Sequence, residues 1–303
     1  MRREPLTLVE KECRTALNRV SGMPFDWSLN PYTGCEHRCT FCYVRAFERR
    51  AERPSDDRYG RTVLVKTNVV AVLRGELARP SWKREPVVIG SATDPYQPAE
   101  GRYRLTRGCL EALHDHRTPA HVTTRGPMIV RDVDVLVALS RRARVTVCVS
   151  VPSLDPDVVR RTEPGTAPPL QRLRALRTLV DSGVRAGVLM APILPGISDD
   201  PGALREVIRA ARDHGAAFAG AGALRLAPGT REHFMEHLAA DWPDMVAEYR
   251  RLFGARVGLP SAYTASLQQT VARLRDEVHL VDRPWASIQP PPQPAQMRLP
   301  LAS

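Results

Sequence analysis

The sequence predicts an α/β fold: six consecutive β/α units forming a closed or partial barrel, followed by a helical extension. Three observations predict it. Short β-branched runs alternate with longer stretches of helical period. The strand runs are near-continuously apolar, as expected of parallel strands covered on both faces. After the first unit they recur about every 25–40 residues, the length of a βαβ repeat.

The first strand is WSLNPYTG (27–34). A cysteine-bearing loop leads from it into a long connection, 43–84, in which RTVLVKTN (61–68) reads as an extra strand and NVVAVLRGELAR (68–79) as a helix. The second strand, EPVVIGSAT (85–93), feeds the helix RLTRGCLEALHDH (104–116). The third, AHVTTRG (120–126), feeds DVDVLVALSRRA (132–143), and the fourth, RVTVCVSV (144–151), feeds PLQRLRALRTLVDSG (169–183). The fifth, RAGVLMAPI (185–193), feeds PGALREVIRAARDHG (201–215), and GALRLAP (222–228) is the sixth. Asp155-Pro156 and Asp200-Pro201 each place an N-cap acceptor before a proline at the first helical position. Gly183 and Gly215 stand where helices should stop.

From about 230 to 283 the pattern is helical: REHFMEHLAAD, PDMVAEYRRLFG and SLQQTVARLRDEVHL, the last with Leu267, Val271, Leu274 and Val278 on one face. The expected organisation is an N-terminal segment (1–24), a barrel core (25–230), a helical extension (231–283) and a proline-rich tail (284–303).

The chain has 303 residues, enough to bury a large core without staples. Nothing near its start reads as a signal peptide, and no run approaches the roughly 18 apolar residues a membrane helix needs. The expectation is a cytoplasmic protein with no membrane partner, in a compartment where thiols stay reduced. The net charge of +11 leaves nucleic acid open as a partner. The basic residues are almost all arginines and are scattered, which a GC-rich genome also produces.

Half of the six cysteines lie in NPYTGCEHRCTFCYVRAF (30–47), where Cys35, Cys39 and Cys42 form a C-x3-C-x2-C spacing among aromatics. A structural zinc site uses four protein ligands. His37 is the only further candidate nearby, squeezed into the same short loop. A [4Fe–4S] cluster is usually held by four cysteines. With three, one iron keeps an open coordination position for a small molecule.

These residues resemble the radical S-adenosylmethionine (radical SAM) superfamily, whose signature is C-x3-C-x2-C with an aromatic before the last cysteine. NPYTGCEHRCTFCYVR, SATDPYQPAE, TTRGPMIVRD and APILPGISD together resemble its spore photoproduct lyase-related branch, over roughly residues 25–230. The resemblance implies a partial (β/α)6 TIM-like barrel and a [4Fe–4S] cluster on Cys35, Cys39 and Cys42. It implies reductive cleavage of S-adenosylmethionine to a 5′-deoxyadenosyl radical that takes hydrogen from a substrate. It also implies a flavodoxin- or ferredoxin-like electron donor. Spore photoproduct lyase carries a hydrogen-donating cysteine near the end of the second strand. Here that segment reads Gly90-Ser91-Ala92-Thr93-Asp94, which argues for another substrate. DNA lesion repair is the alternative within enzymes, and a non-catalytic metal-binding module the alternative outside them.

Barrel enzymes place chemistry at the C-terminal ends of strands, which selects further cofactor-binding candidates. Ser91, Thr93 and Asp94 follow the second strand, and the resemblance puts Asp94 near the methionine amino group. Thr124 and Arg125 end the third, with Arg125 as a carboxylate partner. Ser150 ends the fourth, at a position that often touches the ribose. Arg172 lies in the next helix, and Pro195 lies in the irregular stretch expected to offer main-chain groups to adenine. Phe41 and Tyr43 flank Cys42. Cys109 and Cys148 read as buried small apolar residues and Cys13 as isolated. His233 and His237 have a metal-binding spacing, but a solvated helix face is the stronger reading.

Overall fold

A computed structural model describes residues 6–285 and 287. The chain enters through two strands the sequence pattern did not reveal, β1 (Thr7–Lys11) and β2 (Leu17–Arg19). Next come β3 (Trp27–Leu29), the two-residue β4 (Tyr32–Thr33), the cysteine loop, α1 (Arg45–Arg50), β5 (Thr62–Lys66) and α2 (Val69–Leu77). The repeating part comprises β6 (Val87–Ile89), α3 (Ala99–Tyr103), α4 (Leu105–Asp115), β7 (Ala120–Thr124), α5 (Val133–Arg142), β8 (Val145–Ser150), α6 (Pro156–Thr162), α7 (Pro169–Asp181), β9 (Ala186–Ile193), α8 (Pro201–Asp213) and β10 (Ala219–Ala223). The extension holds α9 (Thr230–Asp241), α10 (Val246–Phe253) and α11 (Ser261–Glu277).

The main sheet has the order β10-β9-β8-β7-β6-β3-β2. Its six strands from β3 to β10 pair in parallel, and β2 joins the edge antiparallel to β3. Its two end strands do not pair with each other, so the six β/α units make a partial barrel, as the sequence predicts. A second sheet, β1-β5-β4, includes the extra strand expected at 61–68. Sequential strands lie side by side because each helical crossover returns the chain parallel to the strand it left. β8 illustrates the apolar signal: all six of its residues are buried.

The caps form as read. The Asp155 carboxylate accepts from the amides of Asp157 and Val158, and that of Asp200 from Ala203. In α8, Leu204, Val207, Ile208 and Ala211 are buried at helical spacing. The sixth strand is a correction. It occupies Ala219–Ala223, ahead of the expected 222–228, because β10 takes its register from β9, pairing Ala219 with Val188. Leu224 and Leu226 then turn into a separate core beneath the extension.

That second core joins Phe41 and Cys39 of the cysteine loop to Leu194, Phe234, Leu238, Tyr249 and Phe253. The extension therefore shares apolar packing with the cysteine loop. α11 packs on α8 and β10 through Leu267, Val271 and Leu274. Among the described residues no helix is long and apolar enough to cross a membrane. Most of the proline-rich tail lies outside the described residues.

Candidate active site

The cysteine loop sits at the C-terminal mouth of the parallel sheet, held from three sides. From the β6 side, the Glu36 amide donates to Gln97 Oε1 at 3.0 Å and Gln97 Nε2 donates to the Gly34 carbonyl at 3.2 Å. From the α6 side, the Thr40 amide donates to the Thr162 carbonyl and the Gly165 amide to that of His37. From the 51–61 loop, the carbonyls of Ser55 and Asp56 accept from Arg45, whose guanidinium lies over the Tyr59 ring. Two glycines permit this closeness. A Cβ on Gly60, at φ +78°, would stand 2.2 Å from the Cys35 carbonyl, and one on Gly165 2.3 Å from that of Glu36.

Cys35 and Cys39 are buried and Cys42 partly so. Burial pushes the Cys35 thiol well above its ordinary range, with Asp94 and Cys39 adding to it. Burial likewise pushes Cys39 up to about 12, against the opposing pull of Arg125. Thiolates become stable in such a pocket when a metal centre supplies positive charge. His37 is buried, and its Nδ1 lies 3.3 Å from Asp94 Oδ2. Three thiols on one loop fit a [4Fe–4S] centre with one open iron position.

Asp94 ties the mouth together. Its Oδ1 accepts from the Tyr96 amide at 2.9 Å and from the Thr124 hydroxyl at 2.6 Å, and its Oδ2 accepts from the Arg125 amide at 2.6 Å. Burial alone would raise this carboxyl; His37, then Thr124 and the Arg125 amide, hold it down to about 2. Asp94 thus joins the cysteine loop to the ends of β6 and β7, and its acceptor capacity is largely used within the protein.

Behind it runs a buried ion chain. Glu163 is 1% exposed and accepts from Arg125 Nε at 2.5 Å and from Arg172 Nη1 at 2.7 Å. Burial would raise this carboxyl, but the two guanidiniums hold it below the usual range. Arg172 is fully buried and also donates to the carbonyls of Ser150 and Ala167 and to the Thr166 hydroxyl. Its place is within the wall. Arg125 also donates through Nη2 to the Ala191 carbonyl, and its guanidinium lies 5.5 Å from the Phe41 ring centroid.

The remaining candidates cluster at the same strand ends. Asn30 donates to the Ser91 hydroxyl, and its Oδ1 accepts from the amides of Ala92 and Thr93. The Tyr43 hydroxyl donates to the Ser91 carbonyl, and Tyr43 is 40% exposed beside Phe47. The Ser150 hydroxyl donates to Ala191 O at 3.4 Å. In the stretch expected to free main-chain groups, several are used locally. The Pro195 carbonyl accepts from Tyr249 of α10, and the Leu194 and Gly196 amides donate to Ser198 and Asp199.

Asn30, Gln97 and Glu163 were absent from the sequence-based site, and His37 entered it only as a candidate fourth ligand. Asn30 and His37 stand inside the quoted cysteine stretch, so proximity to the motif was an available signal. Gln97 stands inside the quoted SATDPYQPAE stretch and was open to the same signal, whereas Glu163 acts across a long sequence separation and offered none. Cys109 is buried in the main core, and Cys148 is buried with its Sγ 3.3 Å from His121 Nε2.

Comparison with known proteins agrees with this geometry. The profile of the Radical SAM superfamily matches residues 29–213, from β3 through α8. Uncharacterized proteins of Mycobacterium tuberculosis and Mycobacterium bovis are each 37% identical over 272 residues, covering 89% of this chain and 80% of theirs. A spore photoproduct lyase variant solved with bound AdoMet and dinucleoside spore photoproduct is similar in fold, with a TM-score of 0.66 at 15% identity over 90% of this chain and 79% of that one.

Proposed function

The chain belongs to the radical S-adenosylmethionine superfamily, a family of enzymes that use a [4Fe–4S] cluster and S-adenosylmethionine, and from that premise we propose that it generates a 5′-deoxyadenosyl radical to take hydrogen from an organic substrate. One observation carries the reading: three thiols crowd one loop at the open mouth of the parallel sheet, while the neighbouring imidazole faces Asp94. When bound, the cluster supplies the electron that splits the sulfonium C–S bond of S-adenosylmethionine.

The protein's own residues position and shield. Cys35, Cys39 and Cys42 hold the cluster. Arg125, with its Nε on Glu163 and its face over Phe41, presents the remaining guanidinium edge to the methionine carboxylate. Asp94 and Arg172 serve as positioning residues: Asp94 fixes the cysteine loop against Arg125, and Arg172 holds Glu163. Ser91, Thr93, Ser150 and the 194–196 turn stand at the same strand ends and flank the proposed place of the cosubstrate. Phe41, Leu194, Leu224 and Leu226 keep water from the cluster side.

The test is anaerobic reconstitution with iron and sulfide, reduction with dithionite, and chromatographic detection of 5′-deoxyadenosine from S-adenosylmethionine. Reductive cleavage by the wild type and none by Cys39→Ala supports the reading; a reconstituted protein that forms no 5′-deoxyadenosine overturns it.

A second reading, repair of a DNA lesion, is favoured by exposed Tyr43 and Phe47 beside the cysteine loop, with Arg50 over the Phe47 ring. Salt-dependent binding of single-stranded DNA, lost in Phe47→Ala, is its distinguishing outcome.

A further inference from the structure

His233 and His237 stand one turn apart on α9, which places both rings on one helix face. The chain fold brings Asp57 of the 51–61 loop to them, and one ligand atom from each of the three lies within 4.8 Å of the other two. His237 Nε2 is 3.4 Å from Asp57 Oδ1, and the two imidazoles meet edge-on with centroids 4.4 Å apart. His233 is 4% exposed, and its Nε2 is buried with no hydrogen-bond partner. The solvated helix face expected from the sequence is therefore not what forms here.

We propose that Asp57, His233 and His237 bind a divalent transition metal of the zinc class, separate from the iron–sulfur centre. Two imidazoles and one carboxylate form a donor set suited to Zn²⁺ or Fe²⁺, and three protein ligands leave a position for water. A buried imidazole nitrogen without a partner is costly to the fold, and ligation of the trio offers His233 a role for its unpaired lone-pair chemistry. The charges on Arg45 and Arg38 oppose a cation here, and the Asp57 carboxylate, with Asp56 beside it, offsets them.

The location gives the site a purpose. The 51–61 loop carries Tyr59 and Gly60 against Cys35 and accepts the Arg45 guanidinium. α9 begins at Thr230, whose hydroxyl donates to the Cys42 carbonyl at 3.0 Å. A metal joining Asp57 to α9 fastens the helical extension to the loop that backs the cysteines. It acts as a positioning device, away from the reacting atoms.

The test uses the full chain with its cluster reconstituted, so that the cysteines are occupied. It is equilibrated with Zn²⁺ and desalted, and zinc and iron are measured together by plasma mass spectrometry. The expected result is about one zinc per chain above the cluster iron, with a rise in Tm on adding zinc. Asp57→Asn and His237→Ala, at side chains 66% and 35% exposed, should leave the fold and iron content intact. Each should weaken zinc binding by about 100-fold or more, beyond the 10- to 100-fold typical of residues that only support a ligand. Wild-type protein with iron but no bound zinc overturns the proposal. So does zinc retained at wild-type affinity in both variants, which places the ion elsewhere. Because zinc is read independently of 5′-deoxyadenosine, failure here is distinct from failure of the radical reading.

Discussion

Glu163 Oε1 accepts from Arg125 Nε at 2.5 Å, joining the end of α6 to the end of β7 inside the mouth of the barrel. Its other oxygen accepts from Arg172, so one carboxylate is shared by two guanidiniums. Such a group is secure only while all its partners remain, because loss of one leaves charge buried and unpaired. The arrangement orients Arg125 without drawing on solvent.

Glu163→Gln should therefore be severe. Removing the shared charge leaves the buried Arg172 and the largely buried Arg125 facing a neutral amide, and breaking a buried pair typically costs about 3–5 kcal/mol. Urea unfolding of the apo chain should show a marked drop in midpoint. An unchanged midpoint would show that the ion chain does not hold the wall together.

The cysteines should divide into two groups. Cys35→Ala, Cys39→Ala and Cys42→Ala should each lose the cluster's visible absorption and most of its iron and sulfide. Cys109→Ser and Cys148→Ser should retain about four of each, the composition of the cubane, because Cys109 is buried in the main core and Cys148 is buried beside His121, both outside the cysteine loop. Loss of iron in a folded Cys148→Ser protein would require a fourth protein ligand.

Asp94 predicts a pH dependence. Its folded pKa of about 2 lies below the ordinary value near 3.9, so its stabilising contribution is complete above about pH 4 and lost as pH falls through about 2. Its share at neutral pH is about 2–3 kcal/mol, and roughly half should remain at pH 3. Urea midpoints of wild-type and Asp94→Asn apo chains, compared at pH 6 and pH 3, test this. A gap between the two proteins that stays constant with pH would show that the carboxylate's charge is not what ties the mouth together.

The legibility of this chain follows the range of its interactions. β8 and α8 were readable because their burial is local and periodic, and the cysteine loop because its chemistry is local in sequence. β1 escaped notice because its exposed face gives TLVEK no clear period; pairing with β5 makes it a strand. The sixth strand was placed late because Gly220 and Gly222 weaken the strand signal of AGAGA, while the apolar Leu224 and Leu226 beyond it belong to another core. At the site, Arg125 was visible from its strand-end position, but the Glu163 that orients it is 38 residues away. Asp94 was visible too, yet only the folded chain reveals that its oxygens accept from Tyr96, Thr124 and Arg125.

That distinction separates the roles of Asp94 and Arg125 toward the cosubstrate. Arg125 spends Nε on Glu163 and one Nη2 donor on Ala191, and Phe41 supports its face. A guanidinium has five N–H donors, so its remaining edge is available to a carboxylate. Loss of one charge-assisted contact should cost about 1.5–3 kcal/mol, or roughly 10- to 150-fold in affinity. Arg125→Ala should therefore weaken S-adenosylmethionine binding by that factor with iron and sulfide retained. Arg125→Lys, which keeps the charge but loses the planar fork, should fall between wild type and Ala. Asp94→Asn should alter stability more than affinity, since its oxygens already accept within the protein. Isothermal titration of the three reconstituted variants reads these outcomes directly. Wild-type affinity in Arg125→Ala would remove the guanidinium from the carboxylate, and a large affinity loss in a stably folded Asp94→Asn would return Asp94 to the methionine amino group.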